Sequence, residues 1–139
     1  MPITTTENEQ VIEAVVSGPA PANRLYTCTG RAVVGMGAWG QGMTLPETWT
    51  FLVGPELPQR FIRATASVSV VGYAFWSNPP DPNMPSGSWH SLDVQSVEAD
   101  WDDESGKTEV RVEVAIGVGG GSFTLAKIGF TATVLAELP

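Results

Sequence analysis

The chain has 139 residues, 42% of them hydrophobic, which suits one domain able to bury a sizeable core. Fifteen acids against seven bases give a formal charge of −8, and only two lysines, Lys107 and Lys127, are present. That balance argues against nucleic acid or an anionic membrane surface as a partner, because both are held by clustered Lys and Arg. The one cysteine, Cys28, excludes an intrachain disulfide framework. The segment Met1 to Gln10 carries neither a basic nor an apolar signal region, so synthesis in the cytoplasm is expected and the final location is left open. No apolar run reaches the roughly 18–20 residues that span a bilayer as a helix.

Residues 7–17 fit two patterns. Thr6 followed by Glu9 matches a capping box, and Val11, Ile12, Val15 and Val16 would share a helical face. The segment is also short and β-branched, which favours a strand, and residues 1–8 could precede it as an extended arm. Pro19 and Pro21 then break regular structure. Across residues 25–36, Tyr26, Cys28, Ala32, Val34 and Met36 alternate with Thr27, Thr29 and Arg31, the period of a half-buried strand. A glycine-rich connection from Gly35 to Gly42 leads to a strand over residues 48–53, closed by Gly54-Pro55 and Pro58.

Residues 61–76 form the clearest strand. Ile62, Ala64, Ala66, Val68 and Val70 are expected on one face, with Arg63, Thr65, Ser67 and Ser69 on the other. The phase changes at Val71-Gly72, so that Tyr73 and Phe75 become the apolar set, which predicts a bulge or bend there. A run this long is expected to turn a corner between two sheets or to change partners. Leu92 and Val94 give way to Val97, Ala99 and Trp101, again a phase change within a strand. Asp102-Asp103-Glu104-Ser105-Gly106 reads as a hairpin turn with Gly106 at positive φ. Val110, Val112, Val114 and Ile116 alternate next. After Gly119-Gly120-Gly121, Phe123 and Leu125 shift into Ile128, Phe130, Ala132, Val134 and Ala136. About seven short strands without a long helix predict an all-β, single-domain antiparallel sandwich, with a small barrel as the alternative.

Several motifs hold residue types that could carry chemistry. Gly35 to Gly40 spells G-x-G-x-x-G, but no helix can open in the sequence that follows, so no phosphate cradle is expected. Asp100, Asp102, Asp103 and Glu104 supply oxygens that calcium would accept, yet the spacing departs from the EF-hand loop, and neither a metal nor another cofactor is expected. His90 is the only histidine, so a His-dependent triad would need Ser88, Ser91 or Cys28 with Asp93, and neighbours on a strand face opposite ways. A carboxylate pair drawn from distant strands would remain for an enzyme.

The proline-rich loop between Trp76 and Trp89 is the leading candidate. It holds Asn78, Asp81 and Asn83, and its prolines favour an extended path that loses little entropy on binding. Trp76 and Trp89, together with Trp39 and His90, could anchor a protein partner or stack on a glycan. They could equally pair across the base of a hairpin. The expected function is a non-enzymatic interaction or assembly module, such as a homo-oligomeric or virion-type structural subunit. A lectin-like module and a small β-barrel enzyme are the alternatives.

Overall fold

The computed structural model describes residues 3–16, 23–39, 44–57, 61–77, 89–119 and 121–137. Seven strands are present among them: β1 Ile3–Val16, β2 Asn23–Trp39, β3 Thr44–Val53, β4 Phe61–Ser77, β5 Trp89–Asp102, β6 Lys107–Gly119 and β7 Gly121–Glu137. They form two antiparallel sheets, in the orders β1-β2-β7-β4 and β3-β6-β5, which face each other without closing into a barrel. In space β1 lies by β3 at one side of the sandwich, and β4 lies by β5 at the other.

Alternation explains the layers. The central strands β7 and β6 are flanked on both sides, and they bury Ala126, Ile128, Phe130, Ala132, Val134 and Ala136 against Val110, Val112, Val114 and Ile116. Tyr26, Cys28, Ala32 and Val34 of β2 and Trp49, Phe51 and Val53 of β3 complete the core. Phe51 and Phe130 join the two sheets, with ring centroids 5.0 Å apart at 46°. On the outer face of the larger sheet the register aligns Thr27 with Thr133 and Thr65, and Thr29 with Thr131 and Ser67. The polar half of each alternating strand is thereby turned to solvent.

Bulges account for most of the phase changes. The β4–β7 register shifts between Val70 and Gly72, and the β5–β6 register between Val94 and Ser96, where the apolar pattern slips. A further shift between Phe61 and Arg63 sends Phe61 to the core and leaves Ile62 44% exposed, the reverse of the expected face. In β7 the register continues unbroken from Leu125 to Ala136; Leu125 lies on the outer face and Ala126 carries on the inward alternation.

Two further expectations are corrected. β4 keeps β7 as its ladder partner throughout and does not pass between sheets; its register shifts take up the changes of phase within that one pairing. β2 continues as a strand beyond Gly35 as far as Trp39, its register with β7 shifting between those two residues. Residues 3–16 form β1, in line with the strand reading favoured for residues 7–17.

Candidate interaction surface

The expected loop site falls mostly outside the described residues. Asn78, Asp81 and Asn83 lie there, and so do the side chains of Trp39, Trp76 and Trp89. The backbone does decide the hairpin reading. Trp76 pairs with Ser122 of β7, whereas Trp89 pairs with Gly119 of β6, so the two tryptophans start from different sheets and are not cross-strand neighbours in one hairpin. The connection between β4 and β5 is a crossing between sheets.

On the β4 and β5 strands that this connection joins, His90 meets Tyr73. The β4 bulge turns Tyr73 to the inner face opposite Ala126, and His90 stands on the inner face of β5 opposite Val118. Tyr73 Oη and His90 Nε2 are 2.8 Å apart, with ring centroids at 5.2 Å and 59°. This contact ties the two sheets at their β4–β5 side. Asp93 lies opposite Ala115 and faces away from the core, so the alternation of β5 separates it from His90, and Ser88 is outside the described residues.

The acidic turn is organised by itself. The hydroxyl of Ser105 donates to Asp102 Oδ2 at 2.6 Å and its backbone N–H to the same oxygen at 3.1 Å, while Lys107 N–H donates to Ser105 Oγ. These bonds, the Ser105 hydroxyl first, hold the Asp102 carboxyl below its usual range. Gly106 takes φ 69°, as the turn requires, and its carbonyl accepts from Leu57 N–H at 2.6 Å, pinning the tail of β3. Among the described residues no three His, Cys, Asp or Glu side chains converge on a metal position.

A different surface stands out at the opposite side of the sandwich. β1 is an edge strand, and its second half, residues 10–16, is exposed on both faces. Val11 is 45%, Ile12 70%, Val15 62% and Val16 42% exposed. By ladder position Val11, Glu13 and Val15 share the inner face with Cys28, Tyr26 and Arg24, and Ile12, Ala14 and Val16 share the outer face. The small sheet does not reach beneath them. A cleft of about 500 Å³ opens there, lined by Glu9, Val11, Glu13, Tyr26, Gly54 and Pro55.

The first half of β1 is held differently. Asn8 adopts φ 54°, and the register shifts between Glu7 and Gln10, so a bulge ends the regular pairing. The bulge carries Glu9 across to β3, where its Oε1 accepts from Gly54 N–H at 2.7 Å. A second open cleft of about 590 Å³ lies beside it, lined by Thr4, Thr6, Asp102, Lys107 and Glu109 among others. Glu7 reaches Lys127 at 3.5 Å on the outer face, and Glu13 pairs with Arg24 at 2.8 Å on the inner one.

Residues 10–16 are not among the site candidates named from the sequence, yet their pattern marks them: Val11-Ile12 and Val15-Val16 put β-branched side chains on both faces of one strand, which calls for cover on both sides. No family model, curated protein or solved structure matches this chain.

Proposed function

We propose that the protein is a non-enzymatic assembly module, a subunit of a homo-oligomer held together by strand addition at the free edge of β1. The observation that carries this reading is the exposure of Val11, Ile12, Val15 and Val16 on an edge strand whose outward backbone groups have no ladder partner among the described strands. Edge strands of monomeric proteins are ordinarily blunted by a proline, a bulge or unpaired charge, since a bare apolar edge templates pairing with another chain. Residues 10–16 contain no proline, keep an unbroken register with β2, and hold one charge, that of Glu13, which Arg24 neutralises. Main-chain hydrogen bonds at such an edge supply affinity, and the alternating side chains supply register.

Light scattering on the purified full chain is the test. A mass above that of one chain is expected, falling to one chain in Ile12→Lys, which places an uncompensated charge on the edge without touching the core. A wild-type protein that stays at one chain across the accessible concentrations would refute the reading.

A further inference from the structure

Taking homo-assembly through β1 as given, we infer that its product is a closed two-fold dimer in which β1 pairs antiparallel with β1 of a second copy about Ala14, making one eight-stranded sheet. The four sheet edges differ in how they are protected. β3 carries Pro46, β5 is bulged between Val94 and Ser96 and presents Asp93, Glu98 and Asp100 on its outer face, and β4, whose register with β7 is unbroken from Arg63 to Val70, lies beside β5 and is tied to it by Tyr73 and His90. Each device obstructs strand addition. The second half of β1 has none of them, so a β1 edge finds its match only in another β1. Self-matching of one patch is isologous and closes at two copies, where a β1-to-β4 contact would propagate as a filament.

The register follows from the same residues. Keeping the two inner faces on one side of the continuous sheet requires inner-face residues to oppose inner-face residues. A two-fold on Ile12 would run the partner into the bulge at Asn8 and Glu9, where Glu9 is committed to Gly54. A two-fold on Glu13 would set two carboxylates directly opposite, an unfavourable cross-strand pair. A two-fold on Ala14 avoids both. It places Ile12 opposite the second copy's Val16 and Glu13 opposite its Val15. Because Val15 is the ladder partner of Arg24, each inner-face row across the junction then holds one Glu13 and one Arg24, from different copies.

Single cysteines introduced at positions 12, 13 and 14 test this directly, because the native Cys28 is buried and does not compete. On the two-fold axis, mates stand roughly 4.5–5.5 Å apart at Cα, within disulfide reach. One residue off the axis, the mates are displaced along the strands to roughly 8 Å, beyond the limit of about 7 Å. Mild oxidation of the full chain should therefore give a two-chain disulfide product with Ala14→Cys, and severalfold less with Ile12→Cys or Glu13→Cys. Circular dichroism would confirm that each variant is folded, and light scattering of the reduced wild type should reach two chains and stop.

An oligomer that crosslinks best at position 12 or 13, or at none of the three, would overturn the two-fold about Ala14 while leaving assembly intact. Masses rising past two chains with concentration would overturn closure. A monomer at every concentration would remove the assembly reading together with this one.

Discussion

Cys28 shows how the sandwich treats a reactive group. It lies in the core, and burial, with Glu9 adding a smaller electrostatic contribution, pushes its thiol up from 9.0 to about 11. The raised value means that the folded state holds the proton more tightly than the unfolded chain does. The stability it contributes is present in full below about pH 9 and is lost as pH rises through about 11. Thermal melts of wild type should fall over that interval more than those of Cys28→Ala, and Glu9→Gln, which removes part of the upward push, should make the fall smaller; equal slopes for wild type and Cys28→Ala would contradict it. Gly30 is bound by space. A Cβ there would come within 2.9 Å of the Phe130 ring and 3.1 Å of the Glu9 backbone, so Phe130 fills the place of the missing side chain beside the β1 bulge. Gly30→Ala should cost about 1–3 kcal/mol in denaturant unfolding, as overpacking does. An unchanged midpoint would show that the Phe130 ring moves aside freely.

At the scale of elements, each hairpin or edge is shaped by a few local bonds. The β5–β6 turn depends on Asp102 as acceptor for the Ser105 hydroxyl and backbone. The folded carboxyl titrates below its ordinary range, so its contribution is complete above the unfolded pKa of about 3.9 and disappears as pH falls through the folded value. In Ser105→Ala the Asp102 carboxyl should titrate higher, which a carboxylate-detected NMR titration reads directly; an unmoved titration would assign the shift to the backbone alone. The β1 bulge has an opposite consequence for its own strand. By diverting Asn8 and Glu9 toward β3 it ties down the first half of β1, and the second half keeps a straight, bare edge. Charge substitution at Ile12 and the cysteine scan about Ala14 both act on that half.

At the scale of the whole molecule, the two sides of the sandwich behave differently. On one, Tyr73 and His90 join β4 to β5; on the other, β1 extends past the small sheet. The strand count, the hairpin at Gly106 and the bulges near Gly72 and Gln95 were legible in the chain because alternation and glycine placement are local properties. Which apolar residues are covered was not. Val11 stands opposite the buried Cys28 and Val15 shares that inward face, yet both are exposed because the opposite sheet has three strands to cover four. Trp76 and Trp89 looked like the base of a hairpin because sequential strands often pair, but strand order sent them to different sheets. The sequence alone determined the succession of strands and the inward-facing set of the central strands, since these depend on residue type and period. Only the tertiary structure decided that β1 is an edge and that half of it is bare, because exposure depends on which strands lie beside and beneath it, and no local pattern records those neighbours.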